Sequence, residues 1–262
     1  MTIALGKVEK YINDEIGRKG GLLFTVIDPD DHKTAENAAR TAKNANEAGS
    51  DLILIGGSTL SSQDFLDSVV KQIKENVNIP VVLFPGNVTW LTKYADAVYF
   101  MSLLNSTKPY WISGAQIKGA PIVKKLGLEP ISVAYLVVEP GGTVGKVAEV
   151  DLLKRSEPQA AAMAALAAQY MGFRMIVTDA GSKPKEGHIP LEMIKAVSSV
   201  LDDSIPYVVA GGIKTPEQAA SIIKAGADAV QVGAAFEQGK GSVENIRKMV
   251  KAVREAGKQK PC

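Results

Sequence analysis

The fold of this chain is decided by the stretch Ala210-Gly211-Gly212-Ile213-Lys214-Thr215-Pro216-Glu217, which follows the apolar run Tyr207-Val208-Val209. The apolar run predicts a buried strand, and the residues after the glycine pair predict the start of a helix. Thr215 suits the N-cap of that helix, Pro216 its first position, and Gln218 the partner in a capping box. Glycines between a strand and a helix N-terminus let main-chain N–H groups approach an anion closely. For a single glycine pair, the alternative is an ordinary turn between a strand and a helix.

A second glycine corner follows soon afterwards. Ala225-Gly226-Ala227-Asp228 leads into the apolar run Ala229–Val232, and this run ends at Gly233-Ala234-Ala235. In a (β/α)8 barrel, the loops after the seventh and eighth strands commonly bind phosphate. Two neighbouring glycine corners near the end of a repeating strand–helix chain fit that arrangement. The sequence therefore predicts a protein that binds a phosphorylated small molecule.

Composition and charge exclude several classes of protein. Of the 262 residues, 46% are hydrophobic, 30 are Lys or Arg, 28 are Asp or Glu, and one, Cys262, is cysteine. The balanced charge argues against a nucleic-acid partner, and a single cysteine leaves no disulfide framework. The charged residues in 1–21 are inconsistent with a signal peptide, and no stretch reaches the roughly 18 apolar residues of a membrane span. We expect a cytoplasmic protein.

Apolar runs alternate with helical patterns along the whole chain, which predicts parallel strands joined by crossover helices. About eight apolar runs read as strands, which is the number that a closed (β/α)8 barrel requires. The predicted fold class is therefore α/β, a (β/α)8 TIM-like barrel forming a single domain over 1–262. A helix over about 5–18 is expected to cover the barrel floor. An open doubly wound sheet is the alternative, but the chain lacks an early Gly-x-Gly-x-x-Gly turn. The predicted strands are Leu22–Ile27, Leu52–Ile55, Val81–Phe84, Ala97–Met101, Ile131–Val138, Arg174–Thr178, Tyr207–Ala210 and Ala229–Val232.

Carboxylates follow the first predicted strand, in the order Asp28-Pro29-Asp30-Asp31-His32. In such barrels the reactive groups lie where strands end, and Mg²⁺ favours carboxylate oxygens together with phosphate oxygens of the substrate. A hydroxyl at Ser58, after the second strand, could complete the site. The alternatives are a solvated turn with a helix N-cap for the acidic segment and an N-cap for Ser58. His32 is expected to be a solvated residue of a helical first turn.

The fifth strand is followed by a glycine-rich segment, Gly141-Gly142-Thr143-Val144-Gly145. It is longer than a connection needs, so it is predicted to be either a mobile flap over the ligand or an exposed loop. Tyr135 alternates with Val133 and Val137 along the strand, and its phenol is therefore predicted to point into the barrel.

The sixth strand leads to Asp179, which is the best candidate for a general base because a carboxylate beside a phosphate site can accept a proton from a bound hydroxyl. Gly181, Ser182 and Lys183 are expected to give main-chain, hydroxyl and ammonium donors to the same phosphate. The alternative is an Asx turn that ends the strand. With two histidines in the chain, a hydrolytic Ser/His/Asp triad is not expected.

Taken in order, these motifs resemble those of the archaeal geranylgeranylglyceryl phosphate synthases, which are similar to the bacterial heptaprenylglyceryl phosphate synthases. The resemblance extends from about Gly21 to Phe236. The motifs that carry it are Ile27-Asp28-Pro29-Asp30, Gly56-Gly57-Ser58, Phe84-Pro85-Gly86-Asn87, Asn105-Ser106, Pro109-Tyr110-Trp111, Tyr135 to Gly145, Asp179-Ala180-Gly181-Ser182 and Gly211 to Pro216.

The resemblance implies a prenyltransferase. Enzymes of this family join the C3 hydroxyl of sn-glycerol 1-phosphate to geranylgeranyl diphosphate and release diphosphate, which is the first ether-forming step of archaeal membrane phospholipid synthesis. They require Mg²⁺, which Asp28 and Ser58 would hold here, and Asp179 would be the catalytic base. The glycerol phosphate would bind at Tyr135, Val177, Thr178, Asp179, Ala180, Gly181, Ser182, Lys183, Gly211, Gly212, Gly233 and Ala234.

The partners implied are small-molecule substrates, with transient membrane contact when the lipid product leaves. A homo-oligomer is also expected. Apolar Trp111 and Ile112, on the long connection after the fourth strand, suggest a subunit contact, with burial in the core as the alternative.

Several positions depart from the family pattern. Asp179 stands where glutamate is usual, Lys183 where glycine is usual, Ala234 where asparagine is usual and Lys146 where an aromatic residue is common. Shortening the base by one methylene moves its carboxylate by about 1 Å, a displacement that can cost about 100-fold in rate. These changes keep three alternatives open: a relative with another prenyl chain length, a phosphosugar isomerase or lyase, and a non-catalytic protein that binds a polyol phosphate.

Overall fold

The computed structural model describes residues 5–56, 62–236 and 241–260. Within them, eight parallel strands close into a barrel in chain order, each strand pairing with its neighbours and the eighth with the first. The predicted (β/α)8 barrel is confirmed. The strands are β1 Leu22–Ile27, β2 Leu52–Ile55, β3 Val81–Leu83, β4 Ala97–Leu103, β5 Glu129–Val137, β6 Met175–Asp179, β7 Tyr207–Ala210 and β8 Ala229–Val232.

Helices separate most of the strands and pack around the outside of the barrel. A five-residue π-helix, Tyr110–Gly114, leads directly into the α-helix that begins at Ala115. The helices are α1 Lys7–Lys19, α2 Pro29–His32, α3 Ala35–Ala48, α4 Gln63–Asn76, α5 Ala115–Leu126, α6 Gly142–Val147, α7 Pro158–Tyr170, α8 Leu191–Ser198, α9 Pro216–Lys224 and α10 Val243–Gly257.

Alternation along the strands builds two apolar layers. Side chains such as Phe24, Val133 and Val177 belong to a cluster inside the barrel, while their neighbours Leu23, Ala134 and Ile176 pack between the sheet and the helices. Successive residues of a strand point to opposite faces, so the sequence pattern of near-continuous apolar runs matches strands that are buried on both faces.

The floor of the barrel is tied together by charged groups that lie far apart in the sequence. Helix α1 has no side-chain cap of its own at Gly6. Instead Glu129, at the start of β5, accepts hydrogen bonds from the main-chain N–H groups of Val8 and Glu9, both at 2.8 Å. Arg174 in turn forms an ion pair with the buried Glu9 at 2.6 Å. Val8 and Ile12 of α1 join the inner cluster, so this helix covers the floor of the barrel.

Two strand ends differ from the predicted ones in a way that matters for the site. Strand β4 continues to Leu103 and β6 includes Asp179, which pairs with Val137 and Ala210. A prediction from hydropathy ends β6 before the first charged residue. The strand continues because the main chain still pairs on both sides here: the Asp179 carbonyl accepts from the N–H of Val138 at 2.8 Å, and the N–H of Ala180 donates to the carbonyl of Ala210 at 3.3 Å.

Candidate functional site

Asp179 is held at the carboxyl end of β6 by two hydrogen bonds. The Tyr135 hydroxyl donates to Oδ2, and the main-chain N–H of Gly181 donates to Oδ1 at 2.7 Å. The side chain is nearly buried, with 9% of the residue exposed. As predicted, the phenol of Tyr135 lies inside the barrel. The carboxylate is therefore fixed in one orientation at the barrel mouth.

Burial dominates the electrostatics of this pair. It raises the pKa of Asp179 above its ordinary value, while the hydrogen bonds from Tyr135 and Gly181 act in the opposite direction. The pKa of Tyr135 is raised well above 10, by burial first and by the neighbouring carboxylate second. Tyr135 thus stays a proton donor, and Asp179 is a stronger base than an exposed aspartate, as proton abstraction requires.

The glycine pair after β7 has a geometry that other residues rarely adopt. Gly211 and Gly212 have φ angles of 82° and 73°, in the region that favours glycine. A Cβ on Gly211 would lie 2.5 Å from Oδ1 of Asp179, and one on Gly212 would lie 2.6 Å from the carbonyl carbon of Gly187. The corner therefore packs directly against the base and against the loop that follows β6.

The main chain of this corner offers donors to a ligand. Within the described residues, the N–H groups of Gly211 and Gly212 donate to no other main-chain group. They precede α9, whose predicted capping box between Thr215 and Gln218 is present. Donors at a helix N-terminus with no partner in the protein are suited to an anion.

The second glycine corner packs differently. Gly233 has no left-handed φ angle. A Cβ there would instead lie 3.1 Å from Cβ of Val26 on β1, a close contact that favours glycine. Ala234 is exposed. The two corners follow adjacent strands, since Ala210 of β7 is in register with Gln231 of β8.

The side chains around Asp179 do not all face the barrel mouth, because several lie in the packing layers. Val177 is fully buried in the inner cluster, and Ala180 is fully buried against the helices. Thr178 points outward, where its hydroxyl is 2.9 Å from that of Tyr207, because it alternates with the inward-facing Val177 and Asp179. Its side chain therefore does not reach the mouth as a phosphate ligand would.

The expectation that Gly181 gives its main-chain N–H to the phosphate is also corrected. That N–H is used by Asp179, and the N–H of Ala180 donates to the carbonyl of Ala210 at 3.3 Å. Ser182 and Lys183 lie exposed at the rim. Lys183 has a φ angle of 52°, which is uncommon for a residue with a side chain.

Asp28 follows β1 and caps the short helix α2, with Oδ1 accepting from the N–H of Asp30 at 3.1 Å. The N-cap alternative is thus realised, and it is compatible with metal binding because a carboxylate has several acceptor sites. Burial, and next the charge of Asp31, raise the pKa of Asp28 to about 6. A half-buried carboxylate beside another acid fits a hard divalent cation.

The other predicted metal ligand, Ser58, lies outside the described residues. Across the described ranges, no group of three or more His, Cys, Asp or Glu side chains is placed to hold a metal ion. His32 is not a solvated residue as expected: its ring contacts the carbonyl of Asp28 at 2.9 Å and the hydroxyl of Thr41 at 3.2 Å.

The glycine-rich segment after β5 forms a helix and not an open loop. Residues 142–147 form α6, and the chain beyond returns to the barrel through a bridge between Val138 and Leu153. Asn105 fixes this return, because its Nδ2 donates to the carbonyls of Val137 and Asp151, both at 2.8 Å. Gly141 packs so closely on Gly181 that a Cβ on the latter would lie 2.6 Å from the Gly141 carbonyl carbon.

Arg155 is a site-shaping residue that the sequence pattern does not reveal. Its guanidinium donates to the carbonyls of Glu186 and His188, at 3.2 and 2.8 Å, and its N–H donates to Glu139. It thereby fixes the loop against which Gly212 packs. The two carbonyl partners lie 31 and 33 residues away in the chain, beyond the reach of periodicity or a local motif.

An apolar cleft lies beside the mouth, between the ends of β3 and β4 and helix α5. Trp111 is half-buried and forms part of its wall, which favours the interior alternative over a subunit contact. Gly119, on α5, lies at the cleft, and a Cβ there would meet no atom within 4 Å. Other lining residues are Pro85, Asn87, Val88, Leu91, Val98, Tyr99, Phe100, Met101, Leu103, Ala115, Gln116 and Val123.

Nothing in the described part of the chain is a helix long and apolar enough to cross a membrane.

Comparison with known proteins identifies the family. The PcrB family matches residues 15–256. The geranylgeranylglyceryl phosphate synthase of Pyrococcus horikoshii is 48% identical over 96% of this chain and 97% of its own length. The protein of the same name from Methanothermobacter thermautotrophicus is 44% identical over 94% of this chain and 98% of its own.

Solved structures agree with these matches. The (S)-3-O-geranylgeranylglyceryl phosphate synthase of Thermoplasma acidophilum, in complex with its substrate sn-glycerol-1-phosphate, superposes with a TM-score of 0.89 at 36% identity, covering 96% of this chain and all of that one. The Thermoplasma volcanium enzyme gives a TM-score of 0.87 at 38% identity, over 93% and 98% of the two chains. The resemblance found in the motifs is confirmed, and the chain belongs to the PcrB family, among relatives named geranylgeranylglyceryl phosphate synthase.

Proposed function

We propose that this protein is a prenyltransferase that joins the C3 hydroxyl of sn-glycerol 1-phosphate to geranylgeranyl diphosphate and releases diphosphate. The observation that carries the proposal is the packing of Gly211 against Asp179. It places donors suited to a phosphate directly beside a buried, oriented carboxylate. A glycerol phosphate seated on the glycine corner thus brings its hydroxyls toward a base.

The reaction at this site is a displacement at carbon. The oxygen on C3 of the glycerol bonds to the allylic C1 carbon of the prenyl chain, and the bond from that carbon to diphosphate breaks. Asp179 accepts the C3 hydroxyl proton, and Tyr135 and Gly181 keep its carboxylate aimed at that hydroxyl. General base catalysis by a carboxylate positioned in this way supplies a rate enhancement of about 10² to 10⁴.

Mg²⁺ is proposed as the cofactor, held by Asp28 with Ser58 as the second ligand. When bound, the ion neutralises charge on the diphosphate oxygens and thereby assists departure of that group. Asp28 supports this role because its half-buried carboxylate lies next to Asp30 and Asp31 with few cations nearby to compensate. We expect Asp28→Asn to weaken magnesium-dependent turnover without unfolding the protein, as measured by magnesium titration of activity and by thermal melting.

The prenyl chain is proposed to lie in the apolar cleft between β4 and α5. Its walls are mostly apolar, with Asn87 and Gln116 as the polar lining residues, and burying a methylene group stabilises a complex by about 0.8 kcal/mol. The cleft adjoins the barrel mouth through Tyr99 and Met101 of β4. The diphosphate end then faces the carboxyl ends of the strands, where the polar groups are.

We further propose that the protein works in the cytoplasm, contacts the membrane as its lipid product leaves, and forms a homo-oligomer. Helix α5 borders the cleft, exposes Ile117, and carries Lys118, Lys124 and Lys125 but no acidic residue, which suits an anionic lipid surface. Helix α7 contains no charged residue and exposes Met163 and Tyr170. A face without charge can lie on its own copy without repulsion.

The alternatives differ in what they require of the site. A phosphosugar isomerase uses two acid–base groups across the barrel, whereas Asp179 is the buried carboxylate of the inner wall in the described chain. A non-catalytic binder of polyol phosphate needs no oriented base. The hydrogen bonds that orient Asp179 therefore favour catalysis.

The deciding experiment incubates the protein with labelled geranylgeranyl diphosphate, Mg²⁺ and either enantiomer of glycerol phosphate, followed by extraction into organic solvent. We expect a labelled ether with sn-glycerol 1-phosphate, and a loss of about 10² to 10⁴ in kcat for Asp179→Asn with binding of glycerol phosphate retained. Binding of glycerol phosphate without any extractable product would instead support the non-catalytic alternative.

A further inference from the structure

Gln231 is a polar residue in the apolar lining of the barrel. It lies on β8, and only 6% of the residue is exposed. Its neighbours Val230 and Val232 belong to the outer layer and Ala229 to the inner one, so the Gln231 side chain points into the barrel. Its Oε1 atom is buried and has no hydrogen-bond partner within the described residues.

A buried amide without a partner is costly in a folded protein. Leaving such a group unsatisfied costs about 1–3 kcal/mol, and most buried side-chain polar atoms have a partner. An apolar residue of the same size would remove this cost. The amide is therefore expected to meet its partner in a bound ligand.

The strand register places this amide in the proposed glycerol phosphate pocket. Asp179 is in register with Ala210, and Ala210 is in register with Gln231. Parallel strands are about 4.8 Å apart, so Asp179 and Gln231 are separated by roughly 10 Å of backbone. The inward side chain between them is the methyl group of Ala210, which fills little of the distance that separates them.

The groups at this level can be assigned one by one to the polar groups of the substrate. The Gly211–Gly212 corner continues directly from Ala210 and suits the phosphate, while Asp179 lies against Gly211 and suits the reacting hydroxyl. Glycerol phosphate carries one further polar group, the hydroxyl on its central carbon. On β8, next to the glycine corner, the Oε1 atom of Gln231 is a buried acceptor without a partner among the described residues.

We propose that Gln231 binds the C2 hydroxyl of the glycerol phosphate and thereby determines which enantiomer reacts, an inference that rests on the proposed function. Telling mirror images apart requires three fixed contacts. The phosphate corner and Asp179 supply two, and the Gln231 amide, as donor or acceptor, supplies the third. In the mirror-image substrate the C2 hydroxyl points away from β8 when the other two groups are in place.

The test removes the Gln231 amide and the C2 hydroxyl of the substrate, separately and together. The variant is Gln231→Met, which keeps nearly the same length and volume but has no hydrogen-bonding group. The substrates are sn-glycerol 1-phosphate, its enantiomer, and 3-hydroxypropyl phosphate, which lacks the C2 hydroxyl. Gln72→Met, on the outer helix α4, is the matched control.

For the unmodified protein we expect kcat/KM to favour sn-glycerol 1-phosphate over 3-hydroxypropyl phosphate by about 10- to 100-fold, the range of one or two hydrogen bonds. In Gln231→Met both this preference and the preference between enantiomers should fall to within about threefold, while Gln72→Met leaves both unchanged. Because the substitution removes an unpaired buried amide, the melting temperature should be equal or higher.

Two outcomes would overturn the inference: a Gln231→Met variant that keeps both preferences, or an unmodified protein that is indifferent to the C2 hydroxyl. Calorimetric titration with sn-glycerol 1-phosphate alone separates this failure from failure of the proposed function. If the unmodified protein binds no glycerol phosphate, the proposed function fails. If it binds but Gln231→Met still discriminates, the role of Gln231 alone fails.

Discussion

The pair formed by Tyr135 and Asp179 sets the protonation state on which the proposed chemistry depends. Burial raises the pKa of Asp179, and the Tyr135 hydroxyl lowers it by hydrogen bonding to the ionised form. Turnover requires the ionised form, so kcat should fall as the pH drops through the raised pKa, at a higher pH than an exposed aspartate would give. The Tyr135 hydroxyl thus helps to keep Asp179 in the ionised form that can accept a proton.

Tyr135→Phe should shift the acidic limb of the kcat profile to higher pH, because the pKa of Asp179 rises further when the hydrogen bond is lost. The measurement is kcat at saturating substrates over a pH series. Tyr207→Phe is the matched control, since Tyr207 bonds to Thr178 on the opposite face of the same strand. An acidic limb of Tyr135→Phe that stays in place or moves to lower pH would contradict the assignment.

Single residues also mark the limit of the sequence prediction. Asp179, Tyr135 and the glycine pair could be predicted because strand alternation and local turn chemistry place them. The Thr178 side chain and the Gly181 N–H were assigned wrongly, because alternation with the inward-facing Val177 turns Thr178 outward and an internal hydrogen bond occupies Gly181. Contacts of Arg155 and Asn105 depend on loops distant in sequence, which no local pattern encodes.

At the level of the turn between β7 and α9, glycine is required for two separable reasons, φ angle and space. Gly211→Ala should lower kcat/KM by about 100-fold or more, because its Cβ, 2.5 Å from Oδ1 of Asp179, must displace the base. Gly172→Ala is the control: its φ angle is 88°, but a Cβ there meets nothing within 4 Å. That variant should lose only the roughly 1–2 kcal/mol of left-handed strain, seen in chemical denaturation, and keep its activity. Equal activities of the two variants would exclude the corner from the site.

Helix α5 is proposed to limit the length of the prenyl chain. Gly119 faces open space at the cleft, so Gly119→Leu should fill it without strain and exclude at least two methylene groups. At about 0.8 kcal/mol per methylene, kcat/KM for geranylgeranyl diphosphate should fall about tenfold or more relative to geranyl diphosphate. Gly17→Leu on α1, also with nothing within 4 Å, should leave that ratio unchanged. An unchanged ratio in Gly119→Leu would place the chain elsewhere.

The elements themselves were largely predictable, since all eight strands and the capping box of α9 follow from apolar runs and turn residues. Helix α6 was not, because a segment rich in glycine has low helix propensity. It forms where tertiary contacts fix it: Gly141 and Gly142 pack on Gly181, and the chain beyond is bonded through Asn105. The apolar cleft was missed for a similar reason, as its walls come from three separate elements.

Across the whole barrel, stability and chemistry lie at opposite ends. The floor is closed by α1 and by ion pairs such as those of Asp51 with Lys19 and Arg254, while the mouth carries the glycine corners and the carboxylates. This division matches the general behaviour of such barrels, in which strand carboxyl ends carry reactive groups. The sides remain for contacts with other molecules, which are proposed to be lipid at α5 and a second copy at α7.

The two side surfaces can be tested against each other because each supplies the control for the other. Met163→Glu would bring two carboxylates together if α7 packs on its own copy, and such like-charge contacts disfavour association. Its mass by light scattering should therefore fall to that of a smaller species, while binding to phosphatidylglycerol vesicles persists. Ile117→Glu on α5 should show the reverse: unchanged mass, and loss of vesicle binding. Mixing Met163→Glu with Met163→Lys should restore the larger mass, since opposite charges then meet. A Met163→Glu protein of unchanged mass would remove α7 as the subunit contact, and vesicle binding that survives Ile117→Glu would remove α5 as the lipid surface.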